Sequence, residues 1–284
     1  MNAHLREFLR FPPLRKVGVM VLRTLAFSYL GLVLFAATAT NKLLFHPPGH
    51  RSDLRGQVKL KTADGNEITG LYLPNPSAAY VLLFSYGNGE DLVSDRDFLQ
   101  DLLGHGWAVM GYDYPGYGTS TGQPGEAGCD AALDAAYAYL TNEKHLPAER
   151  IVLYGRSLGS GPAVDLASRK PIGGLILQSA YTSIFRVVTH YRILPWDKFN
   201  NFAKISAVHA TLLSIHGTDD QVVPFWHGEA LYDAYPGPKQ HLWVPGADHN
   251  NLIEMAGQTF WTALDSYRQS LPLSGPINSG SSPK

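Results

Sequence analysis

Apolar residues fill almost every position from Val17 to Thr40, broken by a single charge at Arg23. The uncharged run Thr24 to Thr40 is 17 residues long, near the minimum that crosses the hydrocarbon core of a bilayer. Counting back to Val17 gives 24 residues, with Arg23 placed to snorkel toward the headgroups. A spanning helix over about 17–40 is therefore predicted. Beyond it, short apolar runs alternate with stretches of helical period, the pattern of a mostly parallel sheet covered by helices. Gln57 to Lys61 and Ile68 to Leu73, joined across Asp64-Gly65, read as an antiparallel hairpin that opens the sheet. Further strands are predicted at Tyr80 to Tyr86, Trp107 to Asp113, Arg150 to Tyr154, Gly174 to Gln178, Thr211 to His216 and His241 to Val244. Helices are predicted from about Asp91 to His105, Glu126 to Glu143, Ser160 to Ser168 and Asn251 to Tyr267. Residues 43–52 read as a Pro-containing linker, and residues 271–284, rich in Ser, Gly and Pro, as a disordered tail.

Charge sharpens this division. The chain has 284 residues and a net charge of −1, but its first 42 residues carry six bases and one acid, so the two parts stand at +5 and −6. Arg6, Arg10, Arg15 and Lys16 precede the apolar helix. The positive-inside rule then leaves the amino terminus cytoplasmic and everything after Lys42 on the exported side, periplasmic, extracellular or lumenal. The small-residue site Ala37-Thr38-Ala39 supports a second reading, a signal peptide cleaved near Ala39 and a secreted product. A buried core helix is the third. The acidic remainder excludes a nucleic-acid binder. A single cysteine, Cys129, excludes an internal disulfide framework and a thiolate metal cluster. No metal or cofactor is expected, and oligomeric state stays open.

Gly155-Arg156-Ser157-Leu158-Gly159 lies between a predicted strand and a predicted helix. A sharp strand-to-helix turn of this G-x-S-x-G form lifts a serine hydroxyl clear of the backbone, and flanking glycines tolerate the crowding. A serine nucleophile needs an imidazole to take its proton and an acid to orient that imidazole. Both follow in the order Ser, acid, His: Asp219-Asp220 after one strand and His249 after the last. Asp220 is preferred to its neighbour as the acid. Backbone N–H groups for a developing oxyanion would come from Leu158 and from the loop Ser85-Tyr86-Gly87-Asn88-Gly89, with Asn88 first and Gly89 next.

These residues resemble the α/β-hydrolase superfamily over about residues 53–270. Asp113-Tyr114-Pro115-Gly116-Tyr117-Gly118-Thr119-Ser120 resembles its D-x-x-G-x-G-x-S loop, and HGTDDQVVP and PGADH resemble its acid and histidine loops. Within the superfamily the chain is most similar to the membrane-anchored group of Bem-type and depalmitoylase-like, or acyl-protein thioesterase-like, serine hydrolases. The resemblance implies an α/β-hydrolase fold with an antiparallel start, helices on both faces, a minimal cap at about 183–204 and one amino-terminal transmembrane helix. Where the family usually has His-Gly after its third strand, this chain has Tyr86-Gly87, which puts the shape of the oxyanion loop in question.

The function implied is hydrolysis of carboxylic ester or thioester bonds in small-molecule, lipid or acyl-protein substrates. Ser157, His249 and Asp220 would act together through an acyl-enzyme. Tyr86, Tyr181, Phe185, Trp196 and Trp226 are candidates to line an acyl groove, or else to cover the sheet edge or meet a membrane. A serine peptidase of the same fold and a non-catalytic binding module are the other readings.

Overall fold

The apolar amino-terminal run folds as part of one continuous helix, α1 (Leu14–Leu44, 31 residues), about 46 Å long at 1.5 Å per residue. It holds no proline, and it stops just before His46-Pro47-Pro48, whose rings cannot continue a helix. The hydroxyls of Thr24, Thr38 and Thr40 donate back to the carbonyls of Met20, Leu34 and Ala36, so these polar atoms are satisfied within the helix itself. Residues Arg15–Leu44 are long and apolar enough to cross a membrane, with a mean hydropathy of 1.9. The helix extends past the expected 17–40 in both directions and takes in Leu43 and Leu44 of the expected linker.

This computed structural model describes residues 14–49 and 54–272. Residues 1–13, 50–53 and, of the expected disordered tail, 273–284 lie outside the described residues. The chain divides into two units, α1 and the part from Phe45 onward. Phe45, inside the expected linker, is buried and meets the ring of Phe199 at 6.5 Å.

The second unit is built on eight strands: β1 (Gln57–Lys61), β2 (Glu67–Leu73), β3 (Val81–Ser85), β4 (Ala108–Tyr112), β5 (Ile151–Arg156), β6 (Gly174–Gln178), β7 (Thr211–Gly217) and β8 (Lys239–Val244). Their order in the sheet is β1-β2-β4-β3-β5-β6-β7-β8. The β1/β2 and β2/β4 pairs are antiparallel and all others parallel, an antiparallel start to a parallel sheet as expected. Gln57 pairs with Leu71 and Lys61 with Glu67 around the Asp64-Gly65 turn, where Gly65 takes a φ of +88°. Every residue of β3, β4 and β6 is buried, which requires cover on both faces of the sheet.

The helices of this unit are α2 (Arg96–Gly104), α3 (Glu126–Ala138), α4 (Ser160–Arg169), α5 (Ile184–Thr189), α6 (Asn201–Lys204), α7 (Trp226–Ala234), α8 (Leu252–Ala256) and α9 (Gln258–Ser270), and the longer ones supply that cover. On one face Phe98 of α2 meets Phe260 and Trp261 of α9 at 6.3 and 6.2 Å. On the other, α4 bridges its neighbours through Arg169–Asp134 of α3 at 3.0 Å and Asp165–Lys204 of α6 at 2.7 Å. Right-handed crossovers dictate this division, because the chain steps outward from β3 to β4 and then returns to run the opposite way from β5. The crevice at that reversal, at the carboxyl ends of β3 and β5, is where such sheets bind ligands.

Three helices depart from expectation. The closing helix is two helices, because Gly257 takes a φ of +52° between α8 and α9. The helix from Glu126 ends as α-helix at Ala138 and continues as one π turn, Tyr139–Glu143. Asp91 does not start α2: its carboxylate accepts the N–H groups of Val93 and Ser94 and holds a separate turn ahead of Arg96. The cap between Ser183 and Lys204 contains only the short helices α5 and α6.

Candidate active site

β5 ends at Arg156 and the chain turns into α4 through Ser157, whose φ of +50° is left-handed. For a residue with a Cβ this conformation is strained, and it persists only where the surroundings dictate it. They do so through two glycines. A Cβ on Gly155 would lie 2.6 Å from the Gly159 carbonyl, and one on Gly159 would overlap the Ser85 carbonyl at the end of β3. The motif glycines thus let three backbone segments meet around one serine.

Asp220 and His249 reach the same point from β7 and β8. His249 Nε2 lies 3.0 Å from Ser157 Oγ, and its Nδ1 lies 2.8 Å from Asp220 Oδ2. Asp220 is buried, and its Oδ1 accepts the backbone N–H groups of Val222 at 2.9 Å and Val223 at 2.7 Å. His216 Nε2 donates to the Val223 carbonyl at 2.8 Å and lies 3.4 Å from Asp220 Oδ2. Burial works against the Asp220 charge, but His216, His249 and the backbone donors outweigh it and hold the carboxyl well below the usual range. The neighbouring Asp219 is exposed and takes no part. Asp248 ties the acid loop to the histidine loop, accepting the N–H groups of Gln221 at 2.8 Å and His249 at 2.7 Å.

A cavity of about 330 Å³ opens above Ser157 and His249. This lies at the lower end of the roughly 300–1,000 Å³ range of small-ligand sites. Asn88, Gly89, Glu90, Arg156, Gln178, Ser179 and Asn250 give it a polar lining, with Leu252 and Ile253 as the apolar wall. Asn88 and Gly89 stand where the expected oxyanion loop should be, and Leu158 follows the serine. The Gly87 N–H is directed elsewhere, to Glu90 Oε2 at 2.6 Å. Among the described residues no group of three His, Cys, Asp or Glu is placed to hold a metal ion.

The aromatic candidates fall outside this cavity. Tyr86 is fully buried: its hydroxyl donates to Asp113 Oδ1 at 2.9 Å and accepts the Tyr114 N–H at 3.0 Å, while its carbonyl accepts the Tyr114 hydroxyl at 2.7 Å. It braces the loop and does not line the cavity. Tyr181 is likewise buried, with its hydroxyl on the Leu158 carbonyl at 3.0 Å. Phe185 and Trp196 pack edge to face at 6.5 Å in the cap, and Trp226 stacks on His227 at 3.6 Å. None of the five lines the cavity.

Two features of the site left no trace in local sequence. Arg156 ion-pairs with Glu90 at 2.7 Å and with Asp95, and its guanidinium lies over the rings of Phe84 and Phe98 at 5.1 and 5.3 Å. Burial, opposed by Arg156 and reinforced by Glu90, pushes the Asp95 carboxyl up. The second is Ser179, after β6. It has a φ of +49°, and its buried hydroxyl, beside the cavity, finds no partner among the described residues. An orphaned polar group on strained backbone beside Ser157 makes Ser179 a candidate functional residue.

A sequence profile of the α/β-hydrolase fold matches residues 80–189. The chain is 39% identical over 202 residues to the human alpha/beta hydrolase domain-containing protein 17B, covering 70% of each chain. It is also 39% identical over 214 residues to the Caenorhabditis elegans alpha/beta hydrolase domain-containing protein aho-3, covering 74% of this chain and 64%, just under two thirds, of that one. Among solved structures, the Pyrococcus furiosus esterase Pf2001 superposes with a TM-score of 0.68 at 18% identity, covering 80% of this chain and 99% of the esterase. That likeness concerns the fold.

Proposed function

The chain belongs to the α/β-hydrolase superfamily, and from that premise we propose that it is a serine hydrolase of acyl esters or thioesters. The observation that carries the reading is the hydrogen-bonded line Ser157–His249–Asp220, whose members stand 3.0 and 2.8 Å apart. Ser157 Oγ attacks the acyl carbonyl while His249 Nε2 takes its proton. Asp220, held ionised by its donors, fixes the His249 tautomer with hydrogen on Nδ1 and stabilises the imidazolium. The N–H groups of Leu158 and Asn88, with Gly89 as the other loop donor, receive the charge that develops on the carbonyl oxygen. His249 then returns the proton to the departing alcohol or thiol. Water, deprotonated by the same imidazole, attacks the acyl-enzyme, releasing the acid and restoring Ser157.

We read α1 as a single-pass anchor with the catalytic unit on the exported side. The helix runs unbroken through Ala37-Thr38-Ala39, and the next residue, Phe45, is already buried in the catalytic unit. Such tethering keeps the enzyme beside substrates that carry acyl chains in the membrane. The test is turnover of p-nitrophenyl esters and acyl thioesters of graded chain length by the full chain, with Ser157→Ala as control. The reading expects turnover that vanishes in the variant. Equal turnover by the variant overturns it.

A further inference from the structure

Six large apolar side chains stand exposed on the described surface of the catalytic unit, and all six lie on segments that follow strand ends at the rim of the site. Val188, Tyr191, Ile193 and Phe202 lie between β6 and β7, Val222 follows β7, and Met255 follows β8. Val188 and Tyr191 are 81% and 78% exposed. A scatter of single apolar residues over a surface needs no explanation, but confinement to one rim does.

Contacts tie these segments to one another. Arg186 of α5 lies over the rings of Phe202 and Trp226 at 6.0 and 5.7 Å, and His190 meets Trp226 at 6.2 Å. Trp226 starts α7, four residues after Val222. Next to Val222, Gln221 is bonded to Asp248 in the loop that leads to α8 and Met255.

Charge distinguishes what would cover this face. The cap from Ser183 to Lys204 carries four bases, of which Lys204 is held by Asp165 of α4, leaving Arg186, Arg192 and Lys198 against one acid, Asp197, within a catalytic part that is acidic as a whole. Asp197 is spent internally on the Ser183 hydroxyl and the N–H groups of Phe185 and Lys198. An apolar rim with basic neighbours suits the interface of an anionic bilayer, where apolar side chains enter the headgroup boundary and bases meet phosphates. The chain also enters the catalytic unit at this cap. Phe45, which follows α1, packs on Phe199 of the cap, and His46 donates to the carbonyl of Asn88 at 3.3 Å.

We propose that the cap, with Val222 and Met255, is a bilayer-docking surface that seats the mouth of the Ser157 cavity on an anionic membrane. The cavity is too polar to house a long acyl chain, so that chain would run along the apolar rim and the lipid interface while the polar cavity receives the leaving group. This rests on the acyl-hydrolase reading, but its test does not depend on turnover.

The full chain is reconstituted in phosphatidylcholine–phosphatidylglycerol vesicles, with an environment-sensitive fluorophore on Val188→Cys, Met255→Cys or, as control, Asn142→Cys in the π turn after α3. The native Cys129 is buried and does not compete for label. Nitroxide-labelled lipids are expected to quench the labels at 188 and 255 and to spare 142. Absence of quenching at 188 and 255 overturns the proposal. So does burial of these labels in detergent that grows with protein concentration, which would make the face a contact between copies. In parallel, Val188→Asp/Ile193→Asp/Met255→Asp should keep its turnover of a soluble short ester and lose roughly tenfold on a vesicle-embedded acyl ester. Equal turnover of both substrates in the wild type and this variant contradicts docking. Failure of Ser157 to react with an acylating probe would instead remove the hydrolase reading and leave the quenching result standing.

Discussion

Arg156 and Glu90 meet at 2.7 Å, and the same carboxylate oxygen accepts the Gly87 N–H at 2.6 Å. The residue before Ser157 is thereby linked to the loop expected to bind the oxyanion. Glu90→Ala should loosen that loop and lower kcat by roughly tenfold, about 1.4 kcal/mol, with little change in KM. Glu90→Gln keeps an acceptor for Gly87 and should recover part of the loss. Steady-state kinetics on a soluble ester check both, and an effect confined to KM contradicts the role.

Gly159 has no room for a methyl group against the Ser85 carbonyl. Both partners are backbone, so relief requires β3 and the Ser157 turn to separate. Gly159→Ala should destabilise the fold by about 3 kcal/mol and remove activity. Thermal unfolding of wild type and variant measures the cost.

Ser179 keeps a strained φ and an unpaired hydroxyl beside the cavity. We assign this hydroxyl to substrate binding, so Ser179→Gly should stabilise the protein by about 1 kcal/mol while raising KM, because relief of strain and loss of that contact act on different observables. A variant that is neither more stable nor weaker in KM contradicts this assignment.

Burial pushes the Asp113 carboxyl up to about 6, against the donors Leu92 N–H and Tyr86 hydroxyl. The folded value lies above the unfolded one, so the fold binds the proton more tightly and is favoured at low pH. That advantage is complete below about pH 4 and declines as pH rises toward 6. Asp113→Asn removes this dependence. Between pH 4.5 and 7 the wild type should lose about 2 kcal/mol of stability relative to the variant. Denaturant titrations at the two pH values test the slope.

Most of the fold was readable because it rests on local pattern. The strand positions follow from apolar runs, and Gly155, Ser157 and Gly159 are close neighbours whose spacing itself describes a tight turn. Asp220 and His249 were reachable because they follow strands, and strand ends converge on one edge. What depended on distant partners was not readable. Tyr86 and Tyr181 look like groove residues by type, and only the fold shows Asp113, Tyr114 and Leu158 engaging their hydroxyls. Glu90 and Arg156 are 66 positions apart, so no spacing rule couples them. The break at Gly257 and the turn at Asp91 turn on single dihedral angles and side-chain bonds that helical periodicity does not report.

The central claim is that Ser157 is a nucleophile activated through His249 and Asp220. Reaction of the full chain with a fluorophosphonate probe, followed by mass spectrometry of the modified peptide, tests it most directly. The account predicts one adduct on Ser157, none on Ser157→Ala, and labelling slowed by roughly a hundredfold or more in Asp220→Asn, where the histidine loses its orienting charge. An unlabelled wild type, or equal labelling of Ser157→Ala, would contradict it.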